Sequence, residues 1–259
     1  MRQAEAWDTR GFDWEALTPL ADAVKLALEP EQDRYYERTE EALAFLVPRV
    51  GSSRLLLTVS PLSRERSVDG VDSLTLTEAL ALASVPATEP EGAVAPGSMV
   101  RALGQNLAPD TGASGLSWDD TARAVVFRYT GRGGERTVWL ANAFSEAFKL
   151  ELARRYQLGG VAVDDVSRET EDANIWPAVL QYAQADEVDL VKPNGDLLQP
   201  RWTVSDGALE SDTGASVTWR APAKPGTYVL TLIVSDGVMR VGQQLQVPVQ
   251  AAGEQAASP

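Results

Sequence analysis

The apolar and polar positions of this chain follow two regimes. Up to about residue 183, short apolar runs alternate with helical stripes. Beyond about Gln184, strands of alternating character follow one another with turn residues between them. The stretch from Gly115 to Ser167 is the most legible. Val125–Thr130 (VVFRYT) and Arg136–Leu140 (RTVWL) are aromatic and β-branched runs, with Gly131, Gly133 and Gly134 between them, the pattern of a β-hairpin. Asn142 stands where a helix N-cap belongs, and Phe144, Phe148, Leu152 and Tyr156 then repeat as one apolar helical stripe. Gly159 and Gly160 end that helix. Val161–Val163 follows as a short apolar strand that stops at Asp164 and Asp165. Helix, short loop, apolar strand and carboxylates at its C-terminal end is how one unit of an α/β barrel reads.

Upstream, Ala23–Leu28 (AVKLAL) reads as a strand stopped by Pro30. Asp33–Val47 reads as a helix with Tyr36, Leu43 and Leu46 among its apolar positions, closed by Pro48 and Gly51. Arg54–Val59 (RLLLTV) is a continuous apolar run, as in a strand buried on both faces. Strand, helix and strand with short connections predict a parallel α/β arrangement. Residues 65–114 read as loop-rich, with one short helix over Thr77–Ser84 and with Pro86, Pro90, Gly92 and Pro96 as breakers. Ile175–Tyr182 reads as a final helical turn.

Val188–Val191, Arg201–Val204, Ser216–Arg220, Thr227–Val234 and Gln243–Val249 then read as strands. The turn signals between them are Asn194-Gly195, Asp206-Gly207, Gly214, Pro225-Gly226 and Asp236-Gly237, a spacing that predicts a β-sandwich. The expected domains are 1–183 and 184–250, with a flexible tail over 251–259.

Composition narrows the chemistry. There is no cysteine and no histidine among the 259 residues. Disulfides, cysteine-held zinc, a Ser-His triad and histidine acid–base chemistry are excluded, and no cofactor or metal is implied. A hydrophobic share of 44% supplies real cores. The formal charge of −14 repels phosphate, so no nucleic-acid partner is expected. No apolar run reaches the roughly 18 residues of a membrane span. The start, MRQAEAWDTR, has no apolar segment of the signal-peptide kind.

The string WDDTARAVVFRYTGRGGERTVWLANAFSEAFKLELARRYQLGGVAV resembles the last part of the family-18 glycoside hydrolases, the chitinase-like (β/α)8 barrels. The resemblance rests on Trp118-Asp119, on Val138-Trp139 at the hairpin's end and on Gly159-Gly160-Val161 at the start of a strand, in the family's order and spacing. It implies that AVKLAL, RLLLTV and GVAV are the sixth, seventh and eighth barrel strands, with an α+β insertion at about 65–140. WTVSDGALESDTGASVTWRAP and PGTYVLTLIVSDG resemble bacterial Ig-like domains of the polycystic-kidney-disease-repeat type. The expected fold is an α/β partial (β/α)8 barrel, about strands five to eight, followed by an all-β Ig-like sandwich.

Family-18 hydrolysis is substrate-assisted and uses a D-x-x-D-x-D-x-E segment, which this chain lacks. Where the family's sixth strand ends in M-x-Y-D, this chain has Ala27-Leu28-Glu29-Pro30, and Asp164 stands in place of the eighth-strand Trp. The resemblance therefore implies a degenerate, non-catalytic glycan-binding module of a secreted or cell-surface bacterial protein. Its ligand would be an N-acetylglucosamine-containing glycan, chitin or peptidoglycan. Two other functions stay open: a structural or interaction subunit of an extracellular assembly, and the C-terminal part of an active glycosidase whose catalytic strand lies upstream or on a partner.

The candidate ligand contacts are the strand-end residues Glu29, Arg64, Asp164 and Asp165, whose alternative is plain ion pairing at the surface. Trp7 and Trp14 can stack on sugar faces or pack in a core. A closed barrel of this kind takes eight strands. The missing half is therefore expected in the same polypeptide, on another chain, or from self-assembly.

Overall fold

The structure is a computed structural model that describes residues 11–168 and 175–251. Trp7, a candidate ligand contact, lies outside the described residues, as do 169–174 and all but the first residue of the expected tail.

A short helix α1 (Trp14–Leu17), capped by Asp13, leads into β1 (Val24–Lys25), α2 (Tyr35–Val50) and β2 (Leu55–Val59). Pro48 does not close α2 as expected. The helix runs through it to Val50 and ends at Gly51, whose φ of 89° suits glycine. Proline's fixed φ is itself helical, so the helix continues through it with one N–H donor missing.

Next come β3 (Ser63–Ser67), β4 (Gly70–Leu74), α3 (Leu76–Ala83), β5 (Pro86–Glu89) and β6 (Met99–Gly104). They are followed by β7 (Ser117–Asp119), β8 (Ala124–Gly131), β9 (Gly134–Leu140), α4 (Ala143–Arg155), β10 (Gly160–Val163) and α5 (Trp176–Gln184). The last strands are β11 (Arg201–Val204), β12 (Ala208–Leu209), β13 (Ser216–Arg220), β14 (Gly226–Ser235) and β15 (Arg240–Val249).

The first sheet is parallel, in the order β1-β2-β10. One face carries Val24, Leu55 and Leu57, which pack with Leu43, Leu46 and Val50 of α2 and with Leu152 of α4. By alternation the other face carries Lys25, Leu56, Thr58 and Ala162. Among the described residues, no strand pairs with the outer edge of β1 or of β10.

Residues 65–114 are not loop-rich. β4-β3-β9-β8-β7 form a five-stranded sheet whose paired neighbours all run antiparallel. The strand β3 was hidden because its inward residue is Glu65, a carboxylate that is buried by accepting from Tyr129 Oη and Arg136 Nη1. Helix α3 begins at a capping box between Thr75 and Glu78, earlier than the expected start.

Strands β5 and β6 leave that sheet and join the C-terminal region. The third sheet has the order β12-β13-β6-β5, and the fourth has the order β11-β14-β15. Sheet hydrogen bonding therefore crosses residue 184: Trp219 lies opposite Val100 and Val217 opposite Ala102. Both sheets share one core. Val100, Ala102, Val217 and Trp219 meet Trp202, Leu230, Leu232 and Val247, joined by Leu80 of α3 and Phe127 of β8.

The strand expected at Val188–Val191 does not form. Val188 is buried with Ala147, Leu150 and Ala178, and the Asp189 backbone N–H donates to Gln181 Oε1 at 3.1 Å. The segment docks on α4 and α5 by its side chains, so no ladder is needed to hold it.

Candidate functional site

In a parallel α/β sheet every strand points its C-terminal end the same way, and ligand-contacting groups collect on the loops there. After β10, the ladder continues one residue, with Asp164 N–H donating to Val59 O at 2.9 Å. The chain then turns at Asp165, whose φ of 60° is left-handed, a conformation aspartate tolerates because its short side chain bonds locally. Asp165 Oδ2 accepts from Ser60 Oγ at 2.9 Å and pairs with Arg64 at 3.8 Å. The Arg64 side chain is 12% exposed and also donates to Ser73 Oγ. Burial pulls its pKa down, and the charges of Asp165 and Glu146 oppose that. Asp164 Oδ1 accepts from Lys25 Nζ at 2.5 Å, a pair reaching across the face that carries Leu56, Thr58 and Ala162.

Asp164 and Asp165 follow the end of β10, whereas Arg64, expected at a strand end, lies inside β3 of the antiparallel sheet and reaches Asp165 with its side chain. Lys25 and Ser60 belong with them and were missed. Their signals were present: a lysine inside an apolar strand, and a serine directly after one. Glu29 is tied differently. It pairs with Arg38 of α2 at 3.8 Å and accepts from the Glu31 backbone N–H. Among the described residues, no hydrogen bond or ion pair joins Glu29 to Asp164 or Asp165.

Trp14 lies elsewhere. It opens α1 and lines a shallow groove of about 200 Å³ with Phe12, Phe45 and Arg49. Its ring centroid is 5.8 Å from that of Phe12. Phe45 and Arg49 are on the C-terminal half of α2, which runs back against the strands, so the groove is at the opposite end of the sheet from Asp164. The structure therefore does not bring Trp14 to the strand-end group.

Against the two helices sits a sealed polar pair that the sequence reading did not single out. Glu146 of α4 is 0% exposed, and Lys149 Nζ donates to its Oε1 at 2.8 Å. Burial holds the Glu146 carboxyl above its ordinary value of 4.5, with Lys149 restraining the rise. Lys149 Nζ lies 5.0 Å from the Tyr35 ring centroid, and the Tyr35 and Tyr36 rings touch edge-on at 5.2 Å. Burial raises the pKa of both phenols. Glu146 and Lys149 lie off the expected stripe, of which Leu152 alone is buried while Phe144, Phe148 and Tyr156 are half-buried; the buried face of α4 instead carries Ala147, Leu150 and Ala153 beside the pair.

The strand-end group offers donors on Lys25, Ser60 and Arg64 and acceptors on Asp164 and Asp165, all able to bind hydroxyls and amides. The carboxyl of Glu146, which burial pushes toward its neutral form, is closed off from any ligand at that face. Among the described residues, no group of three or more acidic side chains is placed to hold a metal ion, and no helix is long and apolar enough to cross a membrane.

No protein-family model matches the chain, and no curated protein does. Solved structures do show likeness. The chitinase of Chromobacterium violaceum ATCC 12472 is 23% identical over 68% of this chain and 50% of its own, with a TM-score of 0.47. The spore cortex-lytic enzyme SleL of Bacillus megaterium QM B1551 is 16% identical over 66% of this chain and 36% of its own, with a TM-score of 0.45. Chitinase ChiW of Paenibacillus sp. str. FPU-7 is 12% identical over 90% of this chain and 34% of its own, with a TM-score of 0.39. This chain spans half or less of each of these three. At such scores the likenesses assign neither a family nor an activity.

Proposed function

We propose that this chain is a non-catalytic, degenerate chitinase-like module that binds an N-acetylglucosamine-containing glycan, chitin or peptidoglycan, in a secreted or cell-surface bacterial protein. The supporting observation is the strand-end group. Asp164 and Asp165 stand with Lys25 and Ser60 at the C-terminal ends of a parallel sheet and Arg64 reaches them from β3, the groups paired with one another rather than poised as acid and base. Donors and acceptors in mutual register suit a polyhydroxy, uncharged ligand. The carboxyl best placed electrostatically to act as an acid, Glu146, is sealed by Lys149. In this reading further parallel strands, on the same polypeptide or a partner, complete the sheet at β1 and β10, and the C-terminal strands are an Ig-like module.

The test is a fluorogenic chitobioside assay beside a chitin-oligomer binding assay. Binding without turnover is expected, weakened severalfold by Asp164→Ala. Turnover by this chain would favour an active glycosidase instead.

A second reading, a structural or interaction subunit, has its own support. Exposed apolar side chains stand near both edge strands in sequence: Leu17 and Leu20 precede β1, and Val166, Trp176 and Leu180 follow β10. It predicts a defined oligomer in native mass measurements and indifference to sugars; a monomer at every concentration contradicts it.

A further inference from the structure

We infer that the turn between β14 and β15 is a clasp that fixes the start of helix α4, with Asp236 as its positioning residue, so that the α/β region and the sandwich open as one unit. Asp236 is 0% exposed although it is a carboxylate. Its Oδ1 accepts from the backbone N–H of Val238 at 3.0 Å and of Met239 at 2.7 Å. Its Oδ2 accepts from Asn142 Nδ2 at 2.7 Å. Asn142 is also 0% exposed. Its Oδ1 faces the other way and accepts from the backbone N–H of Phe144 at 3.0 Å and of Ser145 at 3.1 Å, the free amides that open α4. One amide side chain thus caps a helix and grips a distant turn at once.

The backbone around the clasp is close-fitting. Gly237 has a φ of 93°, and a Cβ there would lie 2.9 Å from Pro193 and 3.1 Å from the Phe144 ring. The turn therefore lies directly on the first turn of α4. The helix so held carries the buried Glu146–Lys149 pair one turn further on.

The pairing is directional, which makes it testable. An amide facing a carboxylate sets a donor against an acceptor. Two amides oppose donors at the contact, and two carboxylates oppose charges. Exchanging the two residues restores the pattern: aspartate still caps a helix, and asparagine still accepts from Val238 and Met239 while donating across.

Amide hydrogen exchange on the whole chain reads this out in Asp236→Asn, in Asn142→Asp and in the double exchange. Each single variant is expected to speed exchange in both α4 and β14–β15 on the order of tenfold. The double variant is expected to return within about twofold of the starting protein. Acceleration confined to residues 236–239, or a double variant no better than the singles, overturns the proposal. Should the single variants fail to fold, exchange of the unaltered protein along a denaturant series decides. Amides of α4 and of β14–β15 that share one opening transition support the clasp, and separate transitions overturn it.

Discussion

β14 and β10 are both apolar strands, yet Leu230, Leu232 and Val234 of β14 are 0% exposed while all four residues of β10 are half-buried. The difference lies in what surrounds them. β14 is hydrogen-bonded on both sides, to β11 and β15, and its inward residues meet a second sheet and α3. β10 has one strand neighbour, β2, and helices packed on one face. Apolar sequence writes a strand in both places, but full burial needs a second layer and a second neighbour, and parallel strands ordinarily have both. The C-terminal sheets close a core within the described residues; the parallel sheet, among those residues, leaves both edges unpaired.

Substitutions can break or sharpen that contrast. Trp219→Ala empties the centre of the closed core and is expected to cost about 3–5 kcal/mol in denaturant unfolding. A loss near 1 kcal/mol would mean that the core is not closed. Glu146→Ala leaves Lys149 buried without its partner, with about 3 kcal/mol expected in the same measurement. Val161→Ala on β10 removes half-buried carbon, and about 1 kcal/mol is expected. A cost matching that of Trp219 would erase the contrast. Lys25→Ala breaks an ion pair whose side chains are 46% and 38% exposed, so less than about 1 kcal/mol is expected.

The smallest effect is a dependence on pH. The folded state holds the Glu146 proton more tightly than the unfolded chain does, because burial raises its pKa above 4.5. The stability from this group is therefore fully present below the unfolded value and declines as pH rises through the folded one. Glutamine has no such decline. The Tm difference between Glu146→Gln and the unaltered protein should move in the variant's favour from about pH 4 to about pH 7, and a constant difference would contradict the shift.

Short-range patterns made much of the fold legible. The β8–β9 hairpin, the Asn142 cap, the three parallel strands and β11, β13, β14 and β15 all follow from neighbours in sequence. What stayed hidden depends on distant partners. β5 and β6 carry Pro86 and Gly104 and find their sheet through β13, far along the chain. β3 turns Glu65 inward, which apolar alternation cannot reveal. At the candidate site, the strand-end rule put Asp164 and Asp165 after β10, whereas Arg64 sits within β3, and its pairing with Asp165, like the pairings of Lys25 and Ser60, required the fold that brings them near. Trp14 was chosen for its residue type, and its position on α1 set it apart. Asp236 read as a turn residue, which it is, but its bond to Asn142 could not be seen from local sequence.

The most direct measurement is a titration of the isotope-labelled chain with chitin oligomers to millimolar concentration, following backbone amide signals. Saturable shifts centred on Ser60, Asp164 and Asp165, and lost in Asp164→Ala, are the expected result. Unmoved signals at those residues at millimolar glycan would contradict a glycan-binding function at the strand ends.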